Sequence, residues 1–237
     1  MNILHDHERA AGMGRGGHVL SNRAAAQKLR RYGAAIALFN AILLLSTMPA
    51  LAKTPEILAF GDSVTAGYGL PASAAFPARL QARLKDDGVD VKMTNGGVSG
   101  DTTTDGLARL DWSLADKPDV VILELGANDA LRGIDPATVR ANLEAMISRI
   151  QASGAKLLLT GMLAPPNWGE DYRREFDRIY PELAQAHGVA LYPFLLDGVA
   201  MDARLNQPDG LHPNERGVAV LVDHIAPLVA RLIGGPS

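Results

Sequence analysis

Five apolar stretches, at residues 56–60, 89–94, 119–125, 155–160 and 189–194, are separated from one another by segments of helical periodicity. The central stretches lack the inward-outward alternation of a strand with one wet face. Strands buried on both sides look like this, as in a parallel sheet covered by helices on each face. The intervening segments carry matching apolar stripes. After Asp135 as N-cap and Pro136 at the first helical position, Val139, Leu143, Met146, Ile147 and Ile150 recur at helical spacing until Gly154. Asn214 caps a second such segment, striped by Val218, Leu221, Val222, Ile225, Val229 and Leu232, with Pro227 placed to kink it. Further helices are expected over 74–87, 103–116 and 171–187. The pattern implies one three-layer α/β/α sandwich on a five-stranded parallel sheet with right-handed crossovers, spanning residues 53–237. No internal repeat, low-complexity tract or second-domain linker interrupts it.

Residues 1–52 belong to another class. Arg23, Lys28, Arg30 and Arg31 precede an apolar run over 34–48, and Pro49-Ala50-Leu51-Ala52 supplies small residues just before Lys53. Basic, apolar and small-residue regions in that order describe a secretory signal peptide, cleaved after Ala52. The basic part is long enough that Met13 is an alternative start, and Arg30-Arg31 stands as in a twin-arginine signal without its usual flanks. A membrane span needs roughly 20 apolar residues, so no stable insertion is expected after cleavage. The expected location is the periplasm or the exterior.

Removing residues 1–52 takes six Lys+Arg and two Asp+Glu from totals of 23 and 26, leaving 17 and 24 and a net −7. An acidic domain without basic clusters is a poor partner for nucleic acid. The chain has no cysteine, which excludes disulfides, thiolate metal sites and cysteine catalysis.

In an open parallel sheet, ligands bind outside the carboxyl ends of the strands. Ser63 follows the first strand, Ser99-Gly100 the second, Asn128 the third, residues 163–168 the fourth, and Asp209 to His212 the fifth. These polar groups therefore share one rim. A serine hydroxyl needs a base within hydrogen-bond reach. Three imidazoles follow Lys53: His187 at a helix end, His224 within a helix, and His212 after a loop with an acid three positions earlier. By elimination His212 is the base. Asp209 is then placed to hold its ring by accepting the Nδ1 proton. Alone, Asp-x-x-His also serves as a loop turn or as half a metal site, but no second histidine or carboxylate cluster completes a metal shell. For the oxyanion of acyl transfer, the candidate donors are loop amides after the second strand, where Gly96, Gly97 and Gly100 permit close approach, and the Asn128 side chain. Asp129 reads as a loop brace.

Gly61-Asp62-Ser63, Ser99-Gly100-Asp101, Gly126-Ala127-Asn128-Asp129 and Asp209-Gly210-Leu211-His212 resemble, block for block, the SGNH (GDSL) hydrolases. Further likeness to bacterial periplasmic esterases of the thioesterase I, arylesterase and lysophospholipase type lies in Gly67-Tyr68-Gly69-Leu70, Gly106 to Leu110, and Ala164-Pro165-Pro166-Asn167. Val64 stands where the family usually has leucine. The resemblance covers essentially all of 53–237. It implies a flavodoxin-like sheet, Ser63 as nucleophile with His212 and Asp209, and an oxyanion hole of the Ser63 and Gly100 amides with the Asn128 side chain. Ser63 lacks the Gly-x-Ser-x-Gly elbow of the α/β-hydrolases.

The first reading is a secreted, cofactor-free, monomeric serine esterase. Its implied substrates are small-molecule or lipid esters: aryl esters, short or medium acyl esters, acyl thioesters or lysophospholipids. Leu131, Ile134, Leu163, Pro165, Pro166 and Trp168 are placed on rim loops to line an apolar acyl trough, with Arg132 beside it. The same catalytic parts suit a deacetylase of a cell-envelope polysaccharide, although aromatic residues for sugar stacking are few, at 5% of the chain. A non-catalytic binding protein on the same fold is the remaining alternative.

Overall fold

The computed structural model describes residues 26–33 and 53–234. Residues 26–33 form a short exposed helix. The apolar run at 34–48 and the cleavage site after Ala52 lie outside the described residues. No helix among the described residues is long and apolar enough to cross a membrane.

The unit from Thr54 onward is built on five parallel strands, β1 (Glu56–Gly61), β2 (Lys92–Gly97), β3 (Val120–Glu124), β4 (Lys156–Thr160) and β5 (Ala190–Tyr192). Their order is β2-β1-β3-β4-β5, the flavodoxin-like arrangement, whose direction reverses between β1 and β3. The register sets Phe60 beside Leu123 and Ile122 beside Leu158. Every residue of β3 is buried, as are the last five of β1 and the last four of β4. Full burial of each such aliphatic side chain is worth roughly 1.5–3 kcal/mol, which is why both faces had to be apolar.

Eight α-helices accompany the strands: α1 (Ser63–Ala66), α2 (Phe76–Asp86), α3 (Thr103–Ser113), α4 (Ala127–Arg132), α5 (Pro136–Ala152), α6 (Glu170–Asp177), α7 (Ile179–His187) and α8 (Glu215–Ile233). α2 packs against α8, while α3, α5 and α7 pack side by side. The caps read from sequence are in place: Asp135 accepts the Ala137 N–H, and Asn214 accepts those of Arg216 and Gly217. Val139, Leu143, Met146, Ile147 and Ile150 of α5 are buried. So are Val218, Leu221, Val222, Ile225 and Val229 of α8, a helix that runs on through Pro227.

The differences from expectation have local causes. β2 begins at Lys92 rather than Val89. Val89 and Val91 are buried before the strand starts, and β2 itself is a half-exposed edge that pairs through Thr94, Asn95 and two glycines. The helix expected over 171–187 is two, divided at Arg178, with Pro181 in the first turn of the second, where its missing N–H costs no intrahelical bond. α4 was read as loop because six residues between Gly126 and Gly133 are too few to display a period.

Candidate active site

β1 delivers Ser63 directly. The strand ends at Gly61, and the Asp62 carboxylate accepts the Val64 N–H at 3.0 Å, turning the chain into α1 with Ser63 at its first position. There the helix offers the Ser63 amide no acceptor of its own. Ser63 is 9% exposed, on the floor of the carboxyl rim.

His212 arrives on a closed loop. The Gln207 N–H donates to the His212 carbonyl at 2.7 Å, and the Gln207 side-chain amide donates to the Tyr68 and Pro213 carbonyls at 2.7 and 3.0 Å. Gly210 takes φ +71° at the turn, a left-handed conformation that glycine adopts without strain. Asp209 Oδ1 accepts the Leu211 and His212 N–H groups at 2.9 and 3.0 Å, and its Oδ2 meets His212 Nδ1 at 2.7 Å. These three bonds hold the Asp209 carboxyl down at about 2, the His212 backbone N–H acting most strongly. On the other side of the ring, His212 Nε2 lies 2.8 Å from Ser63 Oγ. The Tyr68 ring covers the imidazole with centroids 4.6 Å apart.

The remaining rim residues converge on the same point. Gly100 has φ +90° and its carbonyl accepts from Arg132 at 2.9 Å. Asn128, in the first turn of α4, donates through Nδ2 to Asp62 Oδ2 at 3.1 Å and to the Asp101 carbonyl at 3.0 Å, so both its hydrogens are engaged. Asp129 is buried and braces α3, accepting the Thr103 N–H and hydroxyl at 2.8 and 2.6 Å. Arg109, within α3, ties three segments together. It bonds Asp101 at 2.6 Å and the Gly96 and Gly61 carbonyls at 2.8 Å, over the face of Phe60.

Beside Ser63 lies a cavity of about 460 Å³ walled by Leu131, Leu163, Pro165, Pro166, Phe194, Leu196, Met201 and Leu211, with Asn128 and His212 at its head. Four of the six predicted trough residues are in that wall, Leu131 coming from α4 rather than a loop. Ile134 and Trp168 are not. Ile134 packs against the core, and Trp168 donates its indole N–H to the Ala130 carbonyl at 2.7 Å with its ring against Gly133, bracing the end of α4. Leu196, Met201 and Leu211 were missed because they lie in irregular chain with no period to read, and Phe194 because it was taken into the fifth strand, which ends at Tyr192. No group of three or more His, Cys, Asp or Glu that would hold a metal occurs among the described residues.

An α/β/α sandwich with a carboxylate, an imidazole and a hydroxyl in hydrogen-bond sequence on its carboxyl rim has the architecture of an ester hydrolase. The chain belongs to the GDSL-like Lipase/Acylhydrolase family, whose profile matches residues 59–220. It is 42% identical to a Pseudomonas aeruginosa protein named Esterase TesA over 192 residues, 81% of this chain and 94% of that one. It is 36% identical to the Escherichia coli K12 protein named Thioesterase 1/protease 1/lysophospholipase L1, covering 84% and 94% of the two chains. Among solved structures, a psychrotrophic esterase EstA from Pseudoalteromonas, inhibited by monoethylphosphonate, superposes with a TM-score of 0.72 at 30% identity, covering 76% of this chain and 99% of the other. Membership of this family supports hydrolysis of ester substrates as the activity of the chain.

Proposed function

We propose that this chain is an exported serine esterase that cleaves carboxylic esters and thioesters bearing an apolar acyl group, through an acyl-enzyme on Ser63. The 2.8 Å contact between Ser63 Oγ and His212 Nε2 carries the reading. Nε2 takes the hydroxyl proton as Oγ attacks the carbonyl carbon. The oxyanion meets the Ser63 and Gly100 amides and the Asn128 side chain, whose N–H is shared at that moment with Asp62 or Asp101. His212 then gives its proton to the departing alcohol or thiol, and water repeats the sequence to release the acid. Export rests on the order of basic, apolar and small residues over 1–52.

Asn128→Ala is expected to lower kcat by about 10² to 10³ with little change in KM. A fall in melting temperature with kcat per folded molecule unchanged would reduce Asn128 to a loop tie. The rate is expected to fall on the acid side, because the imidazole must be neutral to take the Ser63 proton and because burial pushes the Asp62 carboxyl, which holds Asn128, up to about 6, whereas Asp209 stays ionised down to about pH 2. A rate that holds constant as the pH is lowered well into the acid range would contradict that assignment.

The apolar trough favours acyl esters over an acetylated glycan, which would present hydroxyls to Leu, Pro and Met side chains. Each methylene entering the trough contributes about 0.8 kcal/mol, so kcat/KM is expected to rise threefold to fourfold per methylene until the trough is full. A graded series of aryl esters assayed beside a lysophospholipid and an acetylated polysaccharide tests this. Exclusive turnover of the polysaccharide, or a rate indifferent to chain length, would overturn the substrate assignment.

A further inference from the structure

Beneath the nucleophile lies a carboxyl group for which the reaction above has no use. Glu124 ends β3 and is wholly buried, as are Asp62 and Thr65 around it. Its Oε2 accepts the Asp62 N–H at 3.1 Å and the Thr65 hydroxyl at 2.8 Å. Gly61 is obligatory beside it, since a Cβ there would stand 2.4 Å from Oε2. Oε1 is equally buried yet meets no N–H or O–H donor, and the same carboxyl sits beside Asp62, whose backbone N–H its Oε2 binds. A buried carboxylate oxygen without a donor is costly and two buried anions side by side repel, so one of the pair carries a proton.

Asp62 already accepts from Val64 N and Asn128 Nδ2, which favours its anion; Glu124 Oε1 accepts nothing. We propose that Glu124 is a positioning residue that functions as a neutral carboxylic acid: its Oε1–H donates to the Asp62 carboxylate, and that anion holds the Asn128 amide and the first turn of α1 beside Ser63. Burial also pushes the Glu124 carboxyl well above the usual range, reinforced by the neighbouring Asp62 charge. The nearby Arg109 guanidinium does not neutralise the pair, being engaged by Asp101 and the Gly96 and Gly61 carbonyls. The catalytic consequence rests on the oxyanion role of Asn128 given above; the proton assignment does not.

Glutamine reproduces the whole set, its carbonyl accepting from Asp62 N and Thr65 while its amide N–H donates to Asp62. Leucine has similar bulk and reproduces none of it. Infrared spectra near neutral pH are expected to show the C=O band of a buried protonated carboxyl in the wild type, lost in Glu124→Gln and retained in Asn128→Ala. Glu124→Gln is expected to keep wild-type kcat, and Glu124→Leu to lose about 10- to 100-fold in kcat with KM little changed. Absence of the band, or its persistence in Glu124→Gln, would overturn the proposal. So would loss of kcat in a folded Glu124→Gln variant. Should Glu124→Leu fail to fold, the band and the glutamine rescue decide. A protein that shows the band but cleaves no ester would leave the proton on Glu124 and refute the esterase reading instead.

Discussion

Ser63→Ala lowers kcat by about 10⁵- to 10⁶-fold, the scale on which removing the nucleophile disables a relay whose members act as a unit. Thr65, the other hydroxyl of this helical turn, is wholly buried and its proton is committed to Glu124 at 2.8 Å. The fold is expected to survive the change. Ser63 Oγ bonds His212 on a loop at the rim, and the caps of α1 come from Asp62 and the backbone rather than from the serine. Steady-state kinetics on the purified variant, with a thermal melt alongside, separates the two effects. A variant that melts like the wild type and keeps most of its turnover contradicts the role given to Ser63.

Asp209→Asn lowers kcat by about 10⁴, for a reason set by the backbone. Oδ1 of Asp209 is fixed by two N–H donors, those of Leu211 and His212, which only an oxygen can accept. In the asparagine variant that oxygen must stay, so the amide nitrogen faces His212 Nδ1. It donates there, Nδ1 becomes an acceptor, and the ring proton moves to Nε2, where it opposes Ser63 instead of receiving from it. The tautomer is wrong while the geometry is intact. Because both side chains are at least a fifth exposed, stability is expected to change little. Nitrogen-15 chemical shifts of the His212 ring, read beside kcat, check the argument. An unchanged tautomer with unchanged kcat would show that Asp209 only closes the loop.

The parts of the fold legible in the sequence were those where burial leaves a period. β1, β3 and β4 carry side chains into both helical layers and so read as unbroken apolar runs, and α5 and α8 carry a stripe with a cap at its start. β2 was misplaced because an edge strand needs only one covered side. Its ladder is made by residues such as Asn95 and Gly97, while the apolar Val89 and Val91 precede it. Within the candidate site, Ser63, Asp209 and His212 were singled out because nucleophilic chemistry would need those residue types beside turns, and the fold brings them within hydrogen-bond reach of one another. The groups that hold them were not. Glu124 is an acid at the end of an apolar run, and nothing local says that it meets Asp62 from the next strand. Gln207 bonds Tyr68 across 139 residues, a contact with no signature in either segment. Trp168 was read as a trough residue from its place on a rim loop, yet its indole N–H donates to the Ala130 carbonyl and its ring lies against Gly133.

Intact-protein and peptide mass spectrometry after treatment with a fluorophosphonate tests the central claim most directly. One adduct per molecule is expected, on the peptide that contains Ser63, absent from Ser63→Ala and slowed to near nothing in His212→Ala. A folded, ester-cleaving protein that takes the label on any other residue, or takes none, would contradict the account.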